Sequence, residues 1–230
     1  MTDAYIIDAA RTPRGIGKAG RGALAHLHSG RLLAKVLEPI RDRNDLNTDD
    51  VDDLVVGCSS QVGNQGSCVG RMAALDAGWS TKSSAVTLDR FCGSGITSVN
   101  LAAANIMSGM DDLCVAGGVE MMSYTATLTN KTNNRTVDGG NLHLRDLHPQ
   151  PHQGVCADMI ATLEGFSRQE LDALAVESQR RAQFAIDHGY FNKSVIPVYN
   201  ERDTVERVVR SVLHVPIDLV SAAADNGIVR

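Results

Sequence analysis

A cysteine at the junction of a predicted strand and a predicted helix is the residue of this chain best suited to covalent chemistry. The apolar residues 85–88 lead through Asp89-Arg90-Phe91 into Cys92, and a helical pattern of apolar residues follows from Ile96 to Met110. A helix N-terminus carries partial positive charge, which favours thiolate over thiol, and the thiolate is the nucleophile. A small buried apolar side chain is the alternative interpretation of Cys92 at this point.

The segments that must position Cys92 alternate between strand and helix patterns. Predicted strands lie at residues 5–10, 54–58, 85–88 and 113–120, with helices at 28–43, 67–77 and up to Gly109. This alternation predicts an α/β layer with a largely parallel sheet. After Ser123 the chain becomes polar, and a long amphipathic helix at 167–188 and a strand at 195–199 follow.

Composition excludes several classes of protein. The 230 residues carry a net charge of −5 with no basic cluster, which argues against a nucleic-acid partner. The start of the chain has no export signal, and we find no apolar run long enough for a membrane. The five cysteines are widely spaced without a C-x-x-C pair, so neither a disulfide framework nor a zinc site is indicated. We therefore expect no metal and a reducing, cytoplasmic location.

A glycine-rich stretch offers a second, weaker functional reading. Residues 15–20 fit G-x-G-x-x-G, the fingerprint of dinucleotide binding. That mechanism needs the glycines at an immediate strand-to-helix turn, whereas Arg11-Thr12-Pro13-Arg14 intervenes here. A surface loop is the favoured interpretation, and a dinucleotide-binding module is the lower alternative.

Five separate segments, in the same order along the chain, resemble motifs of the thiolase family. They are A-Y-I-I-D-A-A-R-T-P at 4–13, L-D-R-F-C-G-S-G at 88–95, A-G-G-V-E-M-M-S at 116–123, H-Q-G-V-C-A-D-M-I-A at 152–161 and S-R-Q-E-L-D-A-L-A at 167–175. The resemblance implies the N-terminal βαβαβαββ half of a thiolase, with a five-stranded mixed sheet and an inserted loop domain. The expected division is an α/β domain at 1–123, a loop domain on the coenzyme A side at 124–200, and a divergent tail at 201–230.

The resemblance also implies a reaction. Thiolases transfer acyl groups between coenzyme A thioesters, which are substrates rather than bound cofactors, and Cys92 would be the nucleophile that carries the acyl group. The backbone N–H of Cys92 would donate to the oxyanion. His152 matches a histidine at the coenzyme A pocket of the family, and Gln153 stands where the family has methionine. Both are expected to line the substrate side.

Two features depart from the family pattern. The G-H-P motif, which supplies the base of thiolases, does not occur in the sequence. The second cysteine of thiolases comes from a C-x-G motif in the second half of the family fold, whereas the one C-x-G tripeptide here, Cys68-Val69-Gly70, precedes Cys92 in the first half. The tail after Glu201 does not match the family pattern either. We therefore expect an interrupted thiolase whose activity alone is impaired, acting as a homo-oligomer or with a complementary thiolase half. A non-catalytic partner or scaffold is the alternative.

Overall fold

The computed structural model describes residues 3–128 and 138–199, which divide into two compact units. The first unit comprises residues 3–128 and 192–199, and the second comprises residues 138–191. The regular elements of the first unit are α1 (Ser29–Arg43), β1 (Asp53–Gly57), α2 (Val69–Asp76), β2 (Ser84–Leu88), α3 (Ser94–Ser108), β3 (Cys114–Gly118) and α4 (Met122–Leu128). Short 3-10 turns at Thr48–Asp50 and Gly63–Gln65 connect them. The predicted alternation of helices and strands from residue 28 to residue 118 is confirmed.

The sheet of the first unit has β1 at its centre. β1 pairs in parallel with β2 on one side and with β3 on the other. Gly57 is opposite both Leu88 and Gly118, so all three strands end at the same level. The predicted parallel sheet is therefore confirmed, with three strands in the described residues. The five-stranded sheet and the inserted loop domain remain predictions.

Side chains of β1 alternate between the two faces of the sheet. Leu54, Val56 and Cys58 join the buried cluster formed with α1 and α2, and this cluster contains the single tryptophan, Trp79. Gly57 lies on the opposite face, against the first residue of α3, Ser94. The sheet is therefore covered by helices on both faces, as expected for parallel strands.

The inner face of α3 is made of small residues. Ser94, Thr97, Ser98 and Ala102 are buried, and the Ser98 hydroxyl donates to the carbonyl of Gly117 in β3 at 2.9 Å. Large apolar side chains of α3 lie on its outer face, where Ile96 is 71% exposed and Val99 is 42% exposed. The helical apolar pattern of the sequence therefore marks a face that nothing in the described residues of the first unit covers.

Two predicted strands are not formed. Residues 3–10 lie outside any strand of the described chain, and Tyr5, Ile6 and Ile7 are about four-fifths exposed, with 81%, 82% and 77% of their surface in solvent. Residues 195–199 form no continuous strand in the described chain: Val195 makes an isolated bridge to Arg11, and Tyr199 is a second isolated bridge residue. An apolar run becomes a strand only when a neighbouring strand pairs with its backbone, and the described residues supply none for residues 5–10.

The second unit is helical. It contains α5 (Leu142–Leu147), α6 (Gln153–Glu164) and α7 (Arg168–Asp187). The helix predicted at 167–188 is α7, and Ser167 and Glu170 form a capping box at its start. No apolar side chain of residues 138–191 is buried. The second unit therefore has no hydrophobic core of its own within the described residues. Nor is any helix of the described residues long and apolar enough to cross a membrane.

We predict that Gly57→Ala destabilises the first unit by about 1–3 kcal/mol, since overpacking a tight contact has that typical cost. A Cβ at Gly57 would lie 2.7–2.9 Å from atoms of Ser94, whose backbone cannot move without displacing α3. Urea unfolding followed by the fluorescence of Trp79 reports on this unit.

The matched control is Gly117→Ala, because a Cβ at Gly117 meets nothing within 4 Å. Its stability should stay within about 1 kcal/mol of the unchanged chain. Equal stabilities of the two variants would contradict the close contact between β1 and α3.

Candidate functional site

Cys92 lies in a tight turn between β2 and α3. The N–H of Gly93 donates to the carbonyl of Arg90 at 3.0 Å, which closes the turn, and α3 begins at Ser94. Cys92 is exposed. The turn lies at the edge of the sheet where the carboxyl ends of the parallel strands meet, which is where ligands bind in open α/β folds. The thiol is therefore accessible and close to a helix N-terminus, as the sequence predicts.

The other cysteines of the described chain differ from Cys92 in burial. Cys58 is 1% exposed, and burial followed by the negative charge of Glu120 raises the pKa of its thiol to about 11. Burial and the hydrogen bond from Cys114 Sγ to Asp111 Oδ2, at 3.1 Å, raise the pKa of Cys114 to about 12. Cys68 and Cys156 are half-buried. Thiolate chemistry at neutral pH is thus disfavoured at Cys58 and Cys114.

A polar network that the sequence did not reveal joins the loop after β1 to the end of β3. The carboxylate of Glu120 accepts the backbone N–H groups of Ser59 and Ser60 at 2.9 and 3.2 Å, and the amide of buried Gln65 at 2.9 Å. Gln65 Oε1 accepts the N–H of Met121 at 2.5 Å. Glu120 belongs to a motif in the sequence, whereas Gln65 carries no local signal for this network, because Glu120 and Met121 are 55 and 56 residues away from it. The network fixes two loops at the same edge as the Cys92 turn.

His152 and Gln153 lie in the second unit, at the start of α6, and both are exposed. His152 is the N-cap, and its Nδ1 accepts the N–H of Gly154 at 3.1 Å. His28 caps α1 in the same way through Gly30. The H-x-G spacing that the two segments share is the sequence signal for this cap. The structure therefore gives His152 a role in starting α6, and its expected place at a coenzyme A pocket stays a prediction.

Cys92 lines neither of two surface pockets found in the described residues. These pockets, of about 340 and 360 Å³, are lined by residues around Arg71 and around His28. The described residues also contain no group of three or more His, Cys, Asp or Glu side chains that could hold a metal ion. The thiol stands on an open surface.

The glycine-rich stretch does not have the geometry of a dinucleotide site. Residues 3–14 form no strand, and the next helix, α1, begins nine residues after Gly20. A Cβ at Gly17 would lie 2.9 Å from the Cβ of Met122, so close packing requires a glycine there. These observations disfavour the dinucleotide-binding alternative.

The parallel sheet, the strand–cysteine–helix turn and the exposed thiol define an α/β protein with an accessible cysteine at the carboxyl edge of its sheet. Residues 4–212 match the N-terminal domain of thiolases. The chain belongs to the thiolase family.

Curated relatives agree with this assignment. The chain is 30% identical to a 3-ketoacyl-CoA thiolase of Psychrobacter cryohalolentis over 224 residues, which cover 90% of the chain and 53% of that protein. It is 35% identical to the steroid 3-ketoacyl-CoA thiolase FadA6 of Mycobacterium tuberculosis over 208 residues, covering 87% of the chain and 50% of that protein. The chain spans about half the length of the curated relatives it matches.

We predict that brief treatment of the folded chain with iodoacetamide at neutral pH labels Cys92 first. Cys58 and Cys114 should react only after denaturation, since burial raises the pKa of both thiols. Peptide mapping by mass spectrometry gives the labelled fraction at each cysteine. If Cys58 in the folded chain is labelled as fast as Cys92, the exposure of a thiol does not determine its rate of alkylation and the prediction is wrong.

Proposed function

We propose that the chain is a thiolase-type acyltransferase subunit in which Cys92 carries the acyl group. The observation that supports this most is the exposed Cys92 at a strand-to-helix turn, in a chain that belongs to the thiolase family. Coenzyme A thioesters are the proposed substrates. The named relatives are 3-ketoacyl-CoA thiolases, and this chain supplies no reason to prefer one acyl length.

The proposed step is a thioester exchange. The Cys92 thiolate forms a bond to the carbonyl carbon of an acyl-CoA, and the carbonyl electron pair moves onto oxygen. The carbon–sulfur bond to coenzyme A then breaks, and the departing thiolate takes up the proton that Cys92 lost. The backbone N–H of Cys92 is the proposed donor to the oxyanion. A free thiol of this kind needs a reducing compartment, and the cytoplasm meets that need.

Efficient turnover requires groups that we place outside this chain. General acid and base groups contribute about 10²–10⁴-fold each. Family members draw theirs from a G-H-P motif and a C-x-G motif of the second half of the fold. G-H-P does not occur in this sequence, and its one C-x-G tripeptide, at 68–70, lies in the first half at the start of α2. His152 and Gln153, at the start of α6, are proposed to contact the coenzyme A moiety. We propose that Cys92 alone acylates slowly and does not complete the cycle.

The outer face of α3 supports a proposal about partners. Ile96, Val99 and Met107 share one side of α3 and are each at least 41% exposed, and Met110, two residues beyond the end of α3, is 67% exposed. Contiguous apolar patches of this kind mark interaction surfaces. We propose that this face binds either a second copy of the chain or a complementary thiolase half that brings the missing base. A non-catalytic scaffold would use the same face.

Incubation with acetyl-CoA is expected to add one acetyl group to the chain, because acylation needs only the nucleophile. Intact-mass spectrometry detects the adduct, and Cys92→Ser should abolish it. Cys68→Ser is the matched control and should retain it, since Cys68 is half-buried. A well-folded chain that forms no adduct would favour the scaffold alternative.

We expect Ile96→Glu to weaken self-association, because it places a charge on the apolar face of α3. Sedimentation velocity over a range of concentrations measures the effect. Thr81→Glu adds the same charge at an exposed position outside α3 and should leave association unchanged. If both variants associate like the unchanged chain, or if the unchanged chain is monomeric and binds no complementary half, α3 is not the interface.

A further inference from the structure

Phe91, the residue before Cys92, has a backbone conformation that its side chain does not explain. Its φ is +48°, in the left-handed region, which costs an L-residue about 1–2 kcal/mol. Its ring is 60% exposed and gains little from burial. Such conformations persist only where the surroundings enforce them. The groups that enforce this one therefore also determine where Cys92 lies.

Side chains on either side of Phe91 bind both of its backbone polar groups. Asp89 Oδ1 accepts the N–H of Phe91 at 2.7 Å. The hydroxyl of Ser94 donates to the carbonyl of Phe91 at 2.6 Å and accepts the N–H of Arg90 at 2.9 Å. Ser94 is 5% exposed, and its backbone rests against Gly57 of β1. The turn is thus tied to the rigid end of the central strand.

We propose that Ser94 and Asp89 are positioning residues for acyl transfer. They hold Phe91 in its left-handed conformation and so fix the thiol and the backbone N–H of Cys92 relative to an incoming thioester. This inference rests on the proposed function. Misplacing a reacting group by about 1 Å can cost on the order of 10²-fold in rate. Loss of the hydrogen bond from either side chain should therefore lower the maximal rate of acylation, without changing the acetyl-CoA concentration that gives half of that rate.

Ser98 provides the matched control for Ser94. It is also a buried serine of α3, and its single hydroxyl proton is shared between hydrogen bonds to the carbonyls of Gly95 and Gly117, at 2.7 and 2.9 Å. Neither bond touches the turn. Ser98→Ala should lower stability while leaving the acetylation rate of the folded chain within about 2-fold of the unchanged rate.

The experiment measures the acetylation rate of Cys92 in the 230-residue chain against acetyl-CoA concentration. Ser94→Ala should lower the maximal rate at least ~10-fold. Asp89→Ala should do the same, and Asp89→Asn, which keeps the acceptor oxygen, should restore the rate. Phe91→Gly combined with Ser94→Ala should recover part of the loss, because glycine enters the left-handed region without strain. Equal rates in Ser94→Ala and Ser98→Ala would overturn the proposal.

Alkylation of Cys92 by iodoacetamide separates this proposal from the proposed function. If acetyl-CoA does not acetylate the unchanged chain, the acyltransferase proposal fails, and the alkylation rate becomes the measure of the turn. Ser94→Ala should then still alter the alkylation rate of Cys92 relative to Ser98→Ala. If these two rates are the same, the positioning role is wrong whatever the chain's activity.

Discussion

The close approach of α3 to the end of β1 is the contact on which the rest of the site depends. Gly57 has no side chain, so the first turn of α3 can rest directly on the backbone of the central strand. Since Gly57 is opposite both Leu88 and Gly118, the ends of all three strands are set at one level. The turn that carries Cys92 starts two residues beyond Leu88 and therefore opens at that edge. A side chain at Gly57 would displace the helix, the turn and the thiol together.

The same contact explains why half of α3 faces solvent. Small residues are needed on its inner face, so the apolar residues that give the sequence its helical pattern lie on the other side. The helices of the second unit likewise bury no apolar side chain within the described residues. These exposed apolar surfaces support the proposal that Cys92 acts with groups from a partner.

Local patterns predicted what depends on local physics. The helices, the three strands and the Cys92 turn follow from the apolar periodicity and the placement of glycines. The order of five motifs along the chain indicates the thiolase family. The prediction of a strand at residues 5–10 was wrong, because a strand needs a neighbouring strand to pair with its backbone and the described residues supply none. The H-x-G spacing at His152 indicates its capping role, and its contact with coenzyme A stays a prediction. The Gln65–Glu120 network is not predictable from the sequence, because its residues are far apart along the chain. The left-handed conformation of Phe91 is not predictable either, because it depends on hydrogen bonds from the side chains of Asp89 and Ser94 to the Phe91 backbone.

The central claim is that this chain holds the nucleophile of a thiolase site and lacks the groups that complete the cycle. The release of coenzyme A from acetyl-CoA, followed over time at a known concentration of folded chain, tests it most directly. The account predicts release of about one equivalent per chain, followed by a near stop, with the acetyl group on the Cys92 peptide. Continued release with formation of a condensed acyl-CoA by the chain alone, or release without acetylated Cys92, would contradict it.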